Sequence, residues 1–567
     1  MNLNIDAVKA QTYDAIVIGS GVSGGWAAKE LTEKGLRVLM LERGRPLEHV
    51  SGYTEALKAP WEMPEAARLG DLALKYPQAP PDAAKTVPTY WMPGADTSYR
   101  QEKPFRWLRP DIVGGKSIMW GRQSYRFSDI DFEANAKEGI GIDWPIRYKD
   151  LAPWYSYVEK FAGISGEKLG LPQLPDSEFI APMDMFLVEK EVRKSIEKNY
   201  PGRVMTIGRT ANLSEAQKVH VDNGRSPCQY RNQCIRGCPY GAYFSTQSCT
   251  LPPAVKTGRL TLRPNSVVTE VIYDAQKQRA SGVRVKDAQT LESQEYFAKI
   301  IFVCASAMAS TALLMNSVSE RFPNGLGNDS GQLGHNLMDH HFRIGANGQW
   351  EGGQDRYYYG RRANGIYIPR YRNIGPDKRD YLRGFGYQGG GGRQGWQHQV
   401  AELAFGASLK EELTKPGLWN MGLIGFGEQL PEYKNRMYLD KTKLDKWGLP
   451  MLVFDAEIGE NEKKMRVDML NDAQEMLEKA GLINVKTYDQ GSVLGQAVHE
   501  MGTARMGRDP KTSVLNGNNQ IHAVKNVFVT DGACMTSSAC VNPSLTYMAL
   551  SARAAHFAVQ ELKAMRI

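Results

Sequence analysis

The sequence predicts an α/β fold, in which a domain with a parallel sheet is joined to a second, α+β domain whose sheet is mostly antiparallel. Two observations support this prediction. An apolar run from Asp14 to Ile18 is followed directly by a glycine-rich turn and an alanine-rich helical segment that ends at Gly35, which is the order of a buried strand and its helix. Residues 341 to about 429 are instead aromatic, glycine-rich and alternating in polarity, as in antiparallel strands with one wet face. The length of 567 residues leaves room for two cores.

The glycine-rich turn is Gly19-x-Gly21-x-x-Gly24, and it opens the first helix. In a dinucleotide-binding βαβ unit the first glycine allows the tight turn, the second lets the backbone approach the pyrophosphate, and the third lets helix and strand pack closely. The helix N-terminus then presents free N–H groups to the anion. A second apolar run, residues 37–41, ends on Glu42, which is placed to bind a ribose hydroxyl and disfavours a 2′-phosphate. These features, in this order, predict a Rossmann-like dinucleotide-binding domain.

The domain boundaries are predicted from where the strand and helix pattern of the dinucleotide-binding domain ends and where it resumes. Residues 1–340 together with 491–567 are predicted to form the dinucleotide-binding domain, and residues 341–490 the substrate-binding domain. Residues 44–104 contain many prolines and aromatic residues with little periodicity, so we expect a long excursion that acts as a lid. The first domain should also contain a second glycine turn at residues 113–121 and a pair of strands at 260–285. We further expect a buried parallel strand at 299–304 and a strand that ends in an acidic turn at 526–532.

Composition argues against several classes of function. Hydrophobic residues make up 42% and charged residues 23%, as in ordinary globular proteins, and no window reaches the roughly 18 apolar residues of a membrane span. The formal net charge of +8 is spread along the chain rather than in runs, so nucleic-acid binding is not indicated. The first residues, MNLNIDAVKAQ, have no basic region and no apolar core, so we expect no secretory signal in this chain.

Two polar residues near the C-terminus are candidates for the chemistry. His499 precedes an irregular, glycine-bearing segment, and Asn542 stands 43 residues later. A histidine has a pKa near working pH, so it can remove a hydroxyl proton while hydride leaves the carbon. An asparagine amide can donate to the same oxygen and hold the alcohol in line. A lone histidine is more often structural, so the assignment depends on its surroundings.

These motifs together resemble the glucose–methanol–choline (GMC) oxidoreductase family, whose members are FAD enzymes that oxidise alcohols and sugars. The N-terminal glycine turn, the Gly-Gly-x-Ser turn at 114–117, His-x-x-Gly-Thr at 499–503, and Asp-Gly followed by Asn-Pro-x-x-Thr at 542–546 occur in the family's order over nearly the whole chain. The resemblance implies that His499 is the catalytic base and Asn542 its partner. It also implies that FAD is contacted by the first glycine turn and the acid after it, by the second glycine turn, by the backbone near residue 268 and by the acidic turn. In chain order these residues are Gly19, Gly21, Gly24, Glu42, Gly114, Gly115, Ser117, Val268, Asp531 and Gly532.

Two details of the resemblance refine the expectation. Many members of the family have a second histidine where Asn542 stands, and the asparagine form is similar to pyranose and cholesterol oxidases. In pyranose oxidases a histidine in the second glycine turn bonds covalently to FAD, whereas here Met119 takes that place. We therefore expect non-covalent FAD.

Three of the seven cysteines crowd together with the spacing Cys228-x5-Cys234-x3-Cys238-Pro239. The C-x3-C-P half repeats the end of a bacterial ferredoxin run, in which thiolates bind iron. Zinc usually shows paired C-x2-C hooks and four ligands, and a disulfide would leave one thiol over; both are alternatives. The spacing resembles the catalytic subunits of membrane-associated bacterial sugar dehydrogenases, which implies a 3Fe–4S cluster on these three cysteines. Cys249 is an alternative fourth ligand, and the remaining cysteines are expected to be small buried residues: Cys304, Cys534 and Cys540.

The predicted function is that of an FAD-dependent sugar dehydrogenase. The aromatic, glycine-rich region of residues 345–430 suits a sugar, whose ring faces stack on aromatic side chains and whose hydroxyls need donors. Hydride passes from a secondary alcohol to FAD, and electrons leave singly through the cluster to an external acceptor. The lid and the open second domain suggest room for an aglycone, which favours a glucoside oxidised at carbon 3 to a 3-keto sugar.

Three alternatives stay open at this point. The first is a glucose- or fructose-type dehydrogenase that oxidises another position of the sugar. The second is a pyranose-oxidase-like enzyme that uses oxygen, and the third is a redox-inactive FAD-binding subunit of an assembly. The cysteines disfavour the oxidase, which has no need of a cluster. Sugar dehydrogenases with this cysteine pattern usually work with a small accessory subunit and a cytochrome c-type acceptor. We therefore expect such partners and periplasmic export together with the small subunit; a cytoplasmic location is the alternative.

Overall fold

The structure is a computed structural model that describes residues 11–59, 62–63, 87–93, 99–358, 360, 362–395 and 405–567. The strands in this part of the chain are numbered β1 to β17 in order: Thr12–Ile18, Val38–Leu41, Tyr99–Gln101, Thr206–Ile207, Leu260–Arg263, Ser266–Asp274, Arg279–Asp287, Ser293–Val303, Ile344–Trp350, Ile366–Ile368, Phe385–Arg393, Trp419–Gly427, Arg436–Leu444, Pro450–Asp455, Ile483–Asp489, Gln520–Ile521 and Val524–Val529. The α-helices α1 to α11 are Val22–Glu33, Asp129–Phe132, Ala134–Glu138, Tyr148–Ala162, Leu187–Asn199, Lys218–Val221, Leu251–Lys256, Ala307–Asn316, Gly406–Leu413, Glu460–Lys479 and Ser544–Lys563. Among the described residues, no helix combines the length and the apolar character needed to cross a membrane.

The first sheet is mainly parallel and has the strand order β16-β17-β8-β1-β2-β5. Strand β1 lies in its middle, where Ile16 is aligned with Leu39 of β2 and Ile301 of β8. Strands β6 and β7 extend this sheet as an antiparallel pair from β8. Helices α1 and α11 cover one face, and small residues such as Ala27 and Ala555 let them pack closely on it. The prediction of a Rossmann-like α/β domain is confirmed.

The second sheet is antiparallel and has the strand order β15-β9-β12-β11-β10-β4. Along β12, buried and half-buried residues alternate, because one face packs against helices and the other is open. Met465, Met469 and Met476 of α10 fill the packed face together with α5. The prediction of a second α+β domain with a mostly antiparallel sheet is confirmed.

The core of the second sheet also contains residues that come well before residue 341. Helix α5 and strand β4, with Met183 and Met205, belong to the same apolar cluster as α10. A third, small sheet joins β13 and β14 to β3, where the rings of Phe105 and Phe454 stack with centroids 4.1 Å apart. Residues before 341 as well as residues of 341–490 therefore contribute to the second sheet and its core.

Much of the predicted lid, residues 44–104, lies outside the described residues. Its described parts include Leu47, Tyr53 and Tyr90, which pack on Ile112 and Ile118 beside the second glycine turn. This part of the excursion is thus anchored to the first domain.

Candidate active site

One cavity of about 590 Å³ lies at the carboxyl ends of the parallel strands, where open α/β sheets bind their ligands. Residues that follow β1, β2, β8 and β17 form one wall, and the open face of β11 and β12 forms another. The catalytic candidates His499 and Asn542 line this cavity. So do seven of the ten predicted cofactor residues: Gly19, Gly21, Glu42, Gly115, Val268, Asp531 and Gly532.

The three glycines of the first turn differ in their surroundings. A Cβ atom on Gly24 would lie 1.9 Å from the carbonyl oxygen of Gly19, and Gly19 itself has a φ of +97°. The packing of α1 on β1 therefore requires glycine at both positions. A Cβ atom on Gly21 would meet no atom of the described residues within 4 Å. Gly21 lines the cavity at the start of α1, so it leaves free space at the helix N-terminus, where unpaired N–H groups can bind an anion.

Glu42 is held at the end of β2 by three hydrogen bonds. Ser20 donates to its Oε2 atom from the backbone N at 3.0 Å and from Oγ at 2.6 Å, and the N of Gly44 donates to Oε1 at 2.8 Å. The carboxylate retains lone pairs for a ribose hydroxyl. Val268 lines the cavity on the same side, because the N of Ser266 donates to the carbonyl of Glu42 at 2.8 Å.

The second glycine turn is built on Gly114 and Gly115, whose φ angles of +94° and +52° favour glycine. Gly115 lines the cavity, but Gly114 and Ser117 do not. The N of Gly114 donates to Oγ of Ser20 at 2.8 Å, and Oγ of Ser117 donates to the carbonyl of Gly114 at 2.6 Å. Gly114 and Ser117 therefore shape the turn and tie it to the first one.

The acidic turn after β17 packs against the loop of His499. Ser310 donates to Oδ2 of Asp531, the N of Ala533 donates to Oδ1 at 3.0 Å, and burial raises the pKa of Asp531 to about 6. A Cβ atom on Gly532 would lie 2.2 Å from the carbonyl oxygen of Glu500. Glycine is therefore needed for this close contact.

The side chains of His499 and Asn542 meet at the cavity. The Nδ2 atom of Asn542 lies 3.3 Å from Nε2 of His499. Gln388 of β11 donates from Nε2 to Oδ1 of Asn542 at 2.7 Å, so the amide group of Asn542 turns its Nδ2 towards His499. Burial holds the pKa of His499 well below its usual range, and His340 and Lys116 lower it further. His499 is therefore neutral at physiological pH and able to accept a proton.

Two residues that hold His499 were missed in the sequence. The carboxylate of Asp339 accepts four backbone hydrogen bonds: from His340 and His499 at Oδ1, at 2.9 and 3.1 Å, and from Gly495 and Ala497 at Oδ2, at 2.7 and 3.2 Å. The Nδ1 atom of His340 lies 2.8 Å from Nδ1 of His499. The signal that could have found them is the Asp-His-His run at 339–341, which stands at the expected domain boundary.

The backbone next to His499 is strained. Val498 has a φ of +57°, in the left-handed region that β-branched residues avoid. Strain of this kind costs about 1–3 kcal/mol and persists where the surroundings impose it. Here the buried carboxylate of Asp339 bonds the backbone on both sides of Val498. Burial and the nearby Glu500 raise the pKa of Asp339 to about 7.

The walls around His499 combine flat apolar surfaces with polar groups. Lys116 and Glu500 form an ion pair at 3.0 Å beside it. The aromatic side chains are Phe342, Phe426 and Trp120, and the polar ones are Arg122, Gln123, Asn364 and Gln388. A few placed polar groups in an otherwise apolar pocket orient a ligand, and this set suits a ring that bears hydroxyl groups.

The three clustered cysteines line a second, much smaller cavity of about 30 Å³. Their thiols are free and partly buried, and burial raises the pKa of Cys228 to about 11 and also raises that of Cys238. In the described part of the chain, no three His, Cys, Asp or Glu side chains converge closely enough to hold a single metal ion. An iron–sulfur cluster takes its thiolates on different irons, so they need not converge on one point. The other four cysteines are buried, as expected for Cys304, Cys534 and Cys540.

A thin wall separates the cysteine cavity from the larger one. Arg122 lines the larger cavity and its guanidinium lies 5.3 Å from the ring centre of Tyr243, which lines the smaller one. Tyr243 donates its hydroxyl to the carbonyl of Ile118 in the second glycine turn. Arg122 also donates to the carbonyl of Ala363, on the cysteine side, at 3.4 Å. One layer of side chains thus lies between the two cavities.

Comparison with known proteins finds relatives over most of the chain. Two family models, both described as GMC oxidoreductase, match residues 13–342 and 431–551. The chain is 26% identical to the fructose dehydrogenase large subunit of Gluconobacter japonicus, over 97% of this chain and 98% of that protein. It is 27% identical to 2-methyl-1,2-propanediol dehydrogenase of Mycolicibacterium austroafricanum, over 97% and 95%.

A solved structure shares the fold. Pyridoxine 4-oxidase from Mesorbium loti superposes with a TM-score of 0.62 at 17% identity, over 96% of this chain and 99% of that one. The two-sheet arrangement described above is therefore found in a solved oxidase as well.

Proposed function

The chain belongs to the GMC oxidoreductase family, and on that premise we propose that it oxidises a secondary alcohol of a glucoside at carbon 3, giving a 3-keto sugar. Family membership confirms the prediction of an FAD-dependent oxidoreductase that acts on CH–OH groups. The observation that supports the proposed chemistry most directly is the pair formed by His499 and Asn542 at the cavity.

The cavity fits FAD, which the family implies. Gly21 leaves the space a pyrophosphate needs, and Glu42 keeps acceptor capacity for a ribose. On the same side, the guanidinium of Arg109 lies 3.7 Å from the ring centre of Trp107, and its buried Nε and Nη2 atoms have no hydrogen-bond partner among the described residues. Buried donors of this kind suit a ligand that supplies acceptors. We propose that the seven predicted residues that line the cavity hold FAD, without a covalent bond at Met119, and that Gly24, Gly114 and Ser117 shape the turns on which it would rest.

In the proposed reaction, Nε2 of His499 takes the hydroxyl proton of the sugar. Nδ2 of Asn542 donates to the same oxygen and keeps it in place as its charge develops. When bound, FAD supplies the acceptor for the hydride. A sugar hydroxyl is a very weak acid, so removal of its proton by a positioned base lowers the barrier; such a base contributes about 10²–10⁴-fold.

The choice of a sugar is supported by the walls of the cavity and by the relatives. Aromatic and polar side chains line the same cavity as His499, and one relative is named a fructose dehydrogenase. The preference for a glycoside over free glucose or fructose rests on the open second sheet. The alternative is a dehydrogenase that oxidises another position of the sugar, or an oxidase that uses oxygen.

A screen of sugars and glycosides tests the proposed function. The purified holoenzyme is incubated without oxygen with an artificial dye, and the products are identified. We expect a 3-keto product from methyl glucoside or a disaccharide. Gluconolactone from free glucose, with blocked glycosides inert, would contradict carbon 3 but leave the FAD chemistry intact. Turnover with oxygen as fast as with the dye would favour the oxidase.

We also propose that Cys228, Cys234 and Cys238 would hold a 3Fe–4S cluster, which would supply a one-electron route from the flavin to an external acceptor. The thin wall at Arg122 and Tyr243 supports this route, because it brings the cysteine cavity close to the predicted flavin site. A dehydrogenase also needs an exit for electrons, whereas an oxidase does not.

The partners of this route follow from the resemblance to sugar dehydrogenases. One relative is named a large subunit, which supports a small accessory subunit for this chain. We propose a cytochrome c-type acceptor and a periplasmic location reached together with the small subunit. An isolated chain that stays in the cytosol and is fully active with a physiological acceptor would count against both.

A further inference from the structure

His340 lies behind His499, on the side away from Asn542. We propose that His340 is a positioning residue that fixes the tautomer of His499, so that the lone pair of Nε2 faces the cavity. The inference rests on the proposed role of His499 as the base. It assigns to His340 a function that neither the motifs nor the comparisons assign.

The two ring nitrogens of His340 have different neighbours. Nε2 lies 2.9 Å from the carbonyl oxygen of Ala539, and Nδ1 lies 2.8 Å from Nδ1 of His499. A carbonyl oxygen can only accept, so Nε2 of His340 carries the hydrogen. A neutral imidazole has one donor and one acceptor, so Nδ1 of His340 accepts.

The tautomer of His499 follows from this assignment. Because Nδ1 of His340 accepts, Nδ1 of His499 must donate, and the lone pair of His499 is therefore on Nε2. The opposite side gives the same result independently: Gln388 fixes the Asn542 amide so that its Nδ2 donor faces Nε2 at 3.3 Å. In the other tautomer two donors would face each other there, and two acceptors would face each other at His340.

The backbone fixes the relative position of the two rings. The Oδ1 atom of Asp339 accepts from the backbone N of both His340 and His499. Ala539 has a φ of +53°, an uncommon conformation for a residue with a side chain, and it is the residue whose carbonyl meets His340. His340 itself is buried. The rings stand at 83° to each other with centroids 4.9 Å apart, so an edge nitrogen of each ring meets the other.

The arrangement serves the proposed proton transfer. When the O–H bond of the sugar breaks, the proton forms a bond to Nε2 of His499, and the Nδ1–H of the resulting imidazolium still donates to His340. The orienting group is thus a neutral ring rather than a carboxylate, and burial keeps the pKa of His340 at about 4, so the ring stays neutral. His340 touches neither sugar nor reacting atom, and it acts through His499.

Nitrogen NMR tests the tautomer without any substrate. Holoenzyme labelled with ¹⁵N in its nine histidines is compared with His499→Gln to assign the signals of His499. We expect Nε2 of His499 in the unprotonated range and Nδ1 in the protonated range at neutral pH. A protonated Nε2 in the resting enzyme overturns the proposal, whichever sugar the enzyme oxidises.

Two variants separate positioning from a structural role. His340→Leu removes the acceptor, and we expect a mixture of His499 tautomers and flavin reduction about 10–100-fold slower at saturating sugar. His340→Asn offers its Oδ1 to the Nδ1–H of His499, and we expect it to restore one tautomer and most of the rate. His341→Leu, at a neighbouring buried histidine, is the matched control and should leave the tautomer unchanged.

The outcomes are distinct. Equal rates and one unchanged tautomer in both His340 variants contradict the inference, and so does an Asn variant no better than Leu. If His340→Leu does not fold, the wild-type spectrum and His340→Asn still decide. If His499→Ala proves fully active, the proposed function is wrong. The NMR spectrum still decides which tautomer His499 adopts, because that measurement does not depend on activity.

Discussion

The Nε2 atom of His499 lies 3.3 Å from the Nδ2 atom of Asn542, although the two residues are 43 positions apart in the chain. Both line a cavity that is also lined by seven of the predicted cofactor residues. A neutral ring nitrogen and an amide donor at one spot can take a proton from an alcohol oxygen and hold that oxygen. The proposed removal of the hydroxyl proton depends on this pair.

The orientation of Asn542 depends on Gln388, which gives a first prediction. Gln388→Glu replaces the donor with a carboxylate that cannot donate to Oδ1 of Asn542, so the amide should turn and present oxygen to His499. We expect about tenfold weaker sugar binding and slower flavin reduction, on the scale of one hydrogen bond of ~1.4 kcal/mol. Gln388→Leu should be milder, because it removes a bond without imposing the wrong orientation. Stopped-flow titration with sugar measures both effects, and a Glu variant as good as Leu would refute this account of the amide.

The first glycine turn gives a prediction on cofactor binding. Gly21→Ala adds a methyl group that meets no atom within 4 Å in the part of the chain that the structure describes, so the protein without FAD should fold as wild type. FAD should bind at least about tenfold more weakly, or ~1.4 kcal/mol, since the methyl group occupies the space of the pyrophosphate. The measurement is a fluorescence titration of apoprotein with FAD.

Gly24→Ala is the matched control for that experiment. Its methyl group would lie 1.9 Å from the carbonyl oxygen of Gly19, so it should destabilise the fold by about 1–3 kcal/mol as other overpacked sites do. Thermal unfolding of both apoproteins separates the two effects. If Gly21→Ala binds FAD normally, the turn does not hold the pyrophosphate.

The cysteine cavity gives a prediction on iron. Pure protein should be brown, because a cluster absorbs visible light in addition to the yellow flavin. It should also give the paramagnetic signal of an oxidised 3Fe–4S cluster. Cys234→Ser should abolish that signal and slow transfer to the acceptor, while sugar still reduces the flavin, because the wall at Tyr243 keeps the sites separate. Cys249→Ser, at a buried cysteine that does not line this cavity, is the control. Stoichiometric zinc without iron would exclude the cluster.

Buried His341 gives a prediction on stability and pH. Burial and the nearby Arg466 and His340 lower the pKa of His341 to about 3, against 6.5 when it is exposed. The unfolded chain therefore binds a proton that the folded chain does not, and stability falls as the pH drops below about 6.5. Between pH 7 and 5 this group should remove ~2 kcal/mol.

The His341→Leu variant checks this assignment. It should lose less stability than wild type over the same pH interval, by about 2 kcal/mol, even if it is less stable at pH 7. Chemical unfolding at the two pH values measures the difference. A variant that loses as much stability as wild type would show that His341 is protonated in the folded chain.

Seven of the ten residues predicted to contact the cofactor line the cavity, because short spacings in the sequence determine where a tight turn and a strand end. The roles of Gly19 and Gly24 follow from the steric demands of one tight turn, and Glu42 follows from the end of the next strand. The same motif did not reveal that Ser117 faces its own turn rather than the cavity, since the motif specifies the backbone and not the direction of a side chain.

The contact of Asp339 and His340 with His499 could not be predicted, although the Asp-His-His run at 339–341 marks them as polar candidates. Asp339 and His340 lie about 160 positions before it, and their contact depends on how the loop before His499 folds back on the start of the second sheet. The packing of residues 183–207 on that sheet is a similar case. Both depend on tertiary contacts for which the local pattern of apolar residues has no signature.

Whether His499 is the catalytic base is tested by the rate of flavin reduction in His499→Ala, measured by stopped flow without oxygen at saturating sugar. This half-reaction isolates proton and hydride removal from the cluster and the acceptor. We predict a rate about 10²–10⁴-fold below wild type, or ~3–5 kcal/mol of barrier, with FAD still bound, and a smaller loss in Asn542→Ala together with weaker sugar binding. A His499→Ala enzyme that reduces its flavin at nearly the wild-type rate would show that another residue takes the proton.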